Sequence, residues 1–552
     1  MNTVRMFLYA ILGVVCLLLW NAWQADYPPT PVKTSVTSNT ATSIPSNTSS
    51  HTVITSTPRQ KELVTQIPNK RLISVHTDVL DVAIDTLGGN VVTAKLLKYP
   101  VSLEEKSIPV QLLSDNPDKL YVAASGVVSD KPGELSLDKP PQYSASQSNY
   151  TLGDNAKDLN VTLVWHGKNG IILTKIFTFT RDNYAIKVNN SILNSSSRAW
   201  SGKFFAELQR KSTEEDKGGG MFSFRTFSGG SISSPDKPYE KFSYANLDKE
   251  NLARTIQGGW LAFQQRYFLS VWIPEQNQLH DYFSQAVPTE QTYVLGLTNS
   301  IVVQPNSELK LGSTLYVGPE TTATLKTLAP HLDLTIDYGW LWMISVWIFW
   351  LMRQIYRIVG NWGWSIIIVT ILIKLAFYKF SEKSYRSMGK MKELAPRLQA
   401  LKERFGNDKQ KMQQATMELY KKEKVNPMGG CLPILIQIPV FIALYYVLIE
   451  AVELRQAPFM FWIHDLSARD PYYILPILMG FSMYLQQRLS PQPSADPMQA
   501  KMMMFLPVIF TVFFLSFPAG LVLYWLVNNC LSVLQQWYVM RRSGEEAKLK
   551  KI

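Results

Sequence analysis

The apolar residues of this 552-residue chain are gathered into blocks. One apolar run covers residues 7–23 and several more crowd between residues 338 and 540. The roughly 300 residues between them hold no long apolar stretch. The averages, 46% hydrophobic residues and a mean hydropathy of −0.03, would describe an ordinary soluble protein. The blocks instead demand two solvents, because runs near 20 apolar residues are what a bilayer requires. Charge is divided in the same way. Residues 26–340 carry 29 Lys and Arg against 30 Asp and Glu, while the remainder carries 26 against 13. A basic excess can mean nucleic acid. Here it lies in loops between apolar runs, which favours cytoplasmic loops of a membrane protein and no DNA partner.

The N-terminal run follows Arg5 and ends at Trp23, ahead of Gln24, Ala25 and Asp26. It is long for a cleaved signal and lacks a small-x-small site. Residues 1–25 therefore read as an uncleaved signal anchor with the N-terminus inside. Residues 26–66 are a Ser/Thr/Pro-rich tether that cannot bury enough apolar surface to fold. Residues 67–336 read as a large extracytoplasmic all-β sandwich. Alternating segments recur at 73–81, 82–86, 161–165, 171–180, 184–190, 267–273 and 311–317, separated by turns such as Leu87-Gly-Gly-Asn90. Residues 319–336 form a short helical connector.

Residues 337–359 are apolar and Trp-rich, but Arg353, Gln354 and Arg357 shorten the apolar run to about 13 residues, less than a span. They read as an interfacial amphipathic helix on the outer surface. Residues 360–380 form the second span. Residues 381–430 carry 12 Lys and Arg against 6 acids and belong in the cytoplasm. Met388, Met391, Leu394, Leu398 and Leu401 recur at helical spacing, Phe405-Gly-Asn-Asp408 breaks the pattern, and Met412, Ala415, Leu419 and Tyr420 resume it. This is a helical hairpin. Residues 431–540 supply four further spans, the last two joined at Phe517-Pro-Ala-Gly520, and residues 541–552 are a basic cytoplasmic tail. The fold class is an α-helical polytopic membrane bundle of six spans plus the β sandwich.

Lys374 lies within the second span. A charge there costs about 2.5–3.5 kcal/mol on insertion scales, so it faces a hydrated cavity or partner, or else snorkels toward Lys379 and Lys383. Thr370 lies one turn earlier on the same face. Gln437, Ser482, Gln486, Gln487, Asn528 and Asn529 place polar groups in other spans. Each alone is interhelical glue; together they can wall a shared groove. No carboxylate lies deep in a span, Glu450 standing at an outer end, which argues against a proton-coupled transporter. The six His and three Cys form neither a metal nor a disulfide pattern, and no phosphate loop or nucleophile elbow occurs. No cofactor and no enzyme activity are expected.

The runs Asn361-Trp-Gly-Trp-Ser, Val425-Asn-Pro-Met-Gly-Gly-Cys-Leu-Pro433, Trp462-Ile-His-Asp-Leu-Ser467, Asp470-Pro-Tyr-Tyr-Ile-Leu-Pro and Phe517-Pro-Ala-Gly-Leu-Val-Leu-Tyr524 resemble the YidC membrane protein insertase family. The resemblance is close over 337–540 and looser in the outer domain. It implies a bacterial inner-membrane protein, with both termini cytoplasmic and a periplasmic domain. It implies insertion and folding of newly made membrane proteins through a hydrophilic groove, alone or with the Sec translocon. The ribosome is expected as a partner through the basic tail and cytoplasmic loops, and the bilayer as surroundings. The groove residues implied are Lys374, Thr370, Gln437, Tyr524, Trp525 and Asn528. Three positions depart from the family pattern: Lys374 for the usual Arg, Lys379 after Tyr378, and Trp525 for the usual Tyr. Lysine keeps the charge but loses the planar fork of donors. The rivals are a solute transporter, which inverted repeats would favour, and a periplasmic carbohydrate-active enzyme, which paired acids in a cleft would favour.

Overall fold

The strand Ile171–Thr180 shows how the outer domain is built. Buried and half-buried residues alternate along it, so Ile171, Leu173, Phe177 and Phe179 enter the core. That is the period of a strand packed on one face. The computed structural model describes residues 72–131, 135–167, 169–213, 226–405, 408–423, 432–489 and 497–549. The expected signal anchor 1–25 and tether 26–66 lie outside the described residues, as do Val425–Cys431 of the family motif.

Two sheets face each other, of ten and nine strands. In the first, Ala253–Gln257, Leu279–Val287, Thr292–Val303, Trp200–Lys211, Tyr121–Ser129, Asn90–Pro100, Leu80–Asp85, Leu72–His76 and Asn149–Thr151 lie in that order, with Pro109–Leu113 paired to Asn90–Pro100. In the second the order is Glu240–Phe242, Gly229–Ser233, Trp260–Gln265, Phe268–Pro274, Ser307–Pro319, Ala185–Asn194, Ile171–Thr180, Asp158–His166 and Ser144–Ala145. Pairing is antiparallel apart from Leu72–His76 with Asn149–Thr151. Polar side chains cross the layer. Trp272 Nε1 donates to Glu207 O at 3.0 Å and Tyr121 OH to Phe263 O at 3.2 Å. Lys175 Nζ donates to Gly89 O and Ser125 O, both at 2.7 Å. A buried cation without a carboxylate is tolerable only when such dipoles satisfy its donors, and burial lowers the Lys175 pKa to about 7.

After a short helix, Thr322–Leu328, the chain becomes helical: α1 (Trp342–Val359), α2 (Trp362–Ala376), α3 (Tyr378–Glu393), α4 (Ala395–Phe405), α5 (Lys409–Lys422), α6 (Leu432–Glu450), α7 (Ile474–Leu489), α8 (Pro497–Phe514) and α9 (Ala519–Leu549). Asn361 starts α2: its Oδ1 accepts from Trp364 N at 3.1 Å, and its Nδ2 donates to Phe459 O at 3.0 Å. Pro396, lacking an N–H, sits at the start of α4, where the missing donor costs least. The sandwich is fastened to the 451–470 segment. Arg455 Nη2 donates to Pro100 O at 2.7 Å, and Gln456 Nε2 reaches the same carbonyl at 3.1 Å. Lys241 pairs with Asp337 at the exit from the sandwich.

Two differences from the sequence reading stand out. The continuous span expected over 360–380 is broken at Phe377, where α2 and α3 meet at 67°. The hairpin's first arm thus begins at Tyr378, ahead of 381. Among the described residues no single helix is long and apolar enough to cross a membrane; α2 and α3 meet that requirement only as a pair. The tail expected from 541 continues the helix α9 to Leu549.

Candidate functional site

α2 carries Lys374 in its last turn, three residues before the bend. The bend turns α3 away and leaves a small groove of about 30 Å³, lined by Ile373, Lys374, Phe377, Ser381, Ile436, Gln437 and Val440. Lys374 is half-buried there. Its Nζ donates to Ser532 Oγ at 2.6 Å, and Ser532 Oγ donates onward to Asn528 O at 2.7 Å. Tyr385 of α3 also reaches the Ser532 side chain. A turn further along α9, Gln535 Nε2 donates to Tyr378 O at 3.3 Å. On the other side, Asn529 Nδ2 donates to Ser482 Oγ at 3.1 Å, joining α9 to α7.

The expected groove residues divide. Lys374 and Gln437 line the groove. Asn528 supports it through its backbone carbonyl; its Oδ1 is buried and, among the described residues, has no hydrogen-bond partner. Tyr524 is buried and faces Gln437 while stacking on Phe441 at 6.3 Å. Trp525 meets Phe441 edge-on at 4.7 Å and Phe514 at 5.3 Å. Neither aromatic is among the lining residues; both pack on Phe441, beside the lining residue Val440. Thr370 is not among the lining residues: it is buried, and its Oγ1 donates to Ile366 O at 2.6 Å within its own helix. The sequence reading passed over Ser532. Its signal was the spacing Asn528, Ser532, Gln535, Gln536, which puts four polar residues on one face of α9.

The helices around the groove are apolar outward. Trp347, Phe481, Ile477, Val508, Ile509 and Val512 are all more than half exposed. In water such a surface would aggregate or be covered. Among the described residues no cluster of His, Cys, Asp and Glu could hold a metal. Helices that turn apolar faces outward around a groove carrying Lys374, joined to a folded β sandwich, have the architecture of a membrane-embedded protein with a water-facing domain.

The comparisons agree. The family described as 60Kd inner membrane protein matches residues 354–546, and the YidC periplasmic domain matches residues 72–351. A membrane protein insertase YidC from Coxiella burnetii is 50% identical over 100% of this chain and 98% of the relative. One from Legionella pneumophila is 48% identical over 100% of this chain and 99% of the relative. A crystal structure described as active YidC insertase with its first transmembrane domain resolved is 18% identical, covering 86% of this chain and 93% of that one, with a TM-score of 0.40. The chain belongs to the YidC family of membrane protein insertases. It is an inner-membrane protein with a periplasmic sandwich, it inserts newly made membrane proteins into the bilayer, and it is not an enzyme.

Proposed function

We propose that insertion proceeds along the groove at Lys374, with the helical half crossing the bilayer six times and both termini in the cytoplasm. The spans are residues 7–23, the bent region around α2, then α6, α7, α8 and the apolar part of α9. α1 lies along the outer surface. The basic excess in 381–430 and 541–552 supports this orientation, and the exposed tryptophans of α1 suit the headgroup region. The hairpin α3–α5 and the basic tail meet the ribosome, whose RNA attracts Lys and Arg. The insertase works alone or beside the Sec translocon and assists folding.

The observation that carries this reading is a single ammonium in a groove that is otherwise lined by Ser381, Gln437 and four apolar side chains, held by a hydroxyl. An acidic or polar outer segment leaving water loses hydration. A fixed positive charge in a region of reduced dielectric recovers part of that loss. Apolar spans then pass into lipid beside the groove. Lys374→Arg should keep insertion of a reporter with an acidic outer segment near the original level. Lys374→Ala should lower it about tenfold, the loss of one charge-assisted contact, and Lys374→Glu should lower it further. A purely apolar reporter should change little. Equal, mild effects of Ala and Glu on both reporters would refute the groove charge.

A further inference from the structure

We infer that Ser532 is the positioning residue of the groove charge: its hydroxyl holds the Lys374 ammonium inside the groove without neutralising it. This rests on the reading of Lys374 as the groove charge.

Lys374 stands three residues before the bend, with Lys379 and Lys383 following on the basic side. A free lysine carries its charge on a flexible four-carbon stem, which readily snorkels to the headgroups. Something must keep the ammonium in the groove. Ser532 is 3% exposed and stands 2.6 Å from Nζ, on a helix 158 residues away in sequence. A hydroxyl has one proton and two lone pairs. Its proton goes to Asn528 O at 2.7 Å. Toward Lys374 it can therefore only accept; the Tyr385 side chain lies beside Ser532. Donation to a carbonyl polarises the hydroxyl and strengthens it as an acceptor.

The kind of acceptor matters as much as its place. A carboxylate at this position would cancel the charge seen by an incoming acidic group. A hydroxyl leaves the full positive charge and two further N–H donors for the substrate. Among the described residues no carboxylate forms an ion pair with Lys374. Ser532 also joins three helices, α2 through Lys374, α3 through Tyr385 and its own α9, so the position of the charge is tied to the packing at the groove's inner mouth.

The test uses the full-length protein and two single-span reporters that differ only in an acidic or an uncharged outer segment. Ser532→Ala should lower insertion of the acidic reporter by about three- to tenfold, the range for one typical hydrogen bond. The uncharged reporter should stay within about twofold. Ser532→Thr, which keeps the hydroxyl, should restore the acidic reporter. Ser532→Cys, close in size but a weak acceptor, should behave as Ser532→Ala, and it carries the test if the alanine variant fails to accumulate. Equal losses on both reporters without rescue by threonine would make Ser532 a packing residue and overturn the inference. Normal insertion by Ser532→Ala beside a defective Lys374→Ala would overturn it while leaving the groove charge standing. If Lys374→Ala also spares the acidic reporter, the groove charge itself falls.

Discussion

The sandwich and the helical half are inside out relative to each other. In the sandwich Trp260 and Trp272 are 0% and 1% exposed, whereas in the helical half Trp340 and Trp347 are 75% and 70% exposed. Buried polar groups differ as well. In the sandwich two of the most buried are tied to backbone carbonyls: Lys175 to two of them, and Asn194 Nδ2 to Arg198 O, Val303 O and Gln304 O. In the helical half side chains pair with one another, Lys374 with Ser532 on one side of α9 and Asn529 with Ser482 on the other. The difference teaches that each half is built for its own solvent. Where water surrounds the chain, apolar residues turn inward and burial supplies the stability. Where lipid surrounds it, apolar residues can face outward at no cost and polar residues mark the functional interior.

This contrast can be broken by labelling. Met460→Cys lies in the 451–470 segment and Met417→Cys on α5, both at exposed positions. An impermeant maleimide added outside cells should modify the first and leave the second untouched. The reverse pattern would overturn the six-span reading. The next effect concerns tryptophan. Trp272→Ala should destabilise the sandwich by about 3–5 kcal/mol, the cost of a large buried aromatic. Trp347→Ala should stay within about 0.5 kcal/mol in detergent. Comparable losses in a denaturation series would show that the exposed face of α1 is packed against something.

A smaller effect tests helix packing. A Cβ at Gly480 of α7 would run into Thr511 Oγ1 of α8, whose hydroxyl is fixed by a 2.7 Å bond to Pro507 O. Gly480→Ala should cost about 1–3 kcal/mol, and adding Thr511→Ala should recover most of it. Gly153 in the outer domain has room for a methyl, with its nearest neighbour Ala156 Cβ at 4.0 Å, and Gly153→Ala should be nearly silent. The smallest effect is a pH slope. Burial lowers the Lys175 pKa to about 7, while the unfolded chain keeps the ordinary value of 10.5. Between these values the unfolded state binds more protons, so stability rises with pH. The buried lysine's cost is full below pH 7 and relieved toward 10.5. Relative to Lys175→Met, the native sandwich should gain roughly 1 kcal/mol per pH unit across that window. Hydrogen exchange of the strand Ile171–Thr180 in the full chain measures it; a flat difference would show that Lys175 stays charged when buried.

The strands legible in the sequence are those with clean alternation, such as Ile171–Thr180. Trp200–Lys211 was not, because Lys203, Glu207 and Arg210 interrupt its pattern, yet it is central in its sheet and buries Glu207 and Arg210. Arg210 is accommodated by a bond to Gln264 O at 3.2 Å and by the Tyr121 ring at 5.0 Å. Those partners come from other strands, so no local pattern announces them. The bend at Phe377 was also hidden. Residues 361–380 read as one apolar run, and no proline marks the break.

What the sequence determined by itself is the division into two solvents, the alternation that makes the sandwich, the placing of the basic excess between apolar runs, and a lysine inside an apolar run. These follow from composition and period, which act locally along the chain. The tertiary structure decided which polar residues meet. Thr370 shares a helix face with Lys374 but bonds back to Ile366, whereas Ser532, 158 residues from Lys374, receives the ammonium. That choice depends on how α2, α3 and α9 pack around the bend. Packing between distant helices is fixed by shape and by the satisfaction of buried donors, neither of which spacing in sequence encodes.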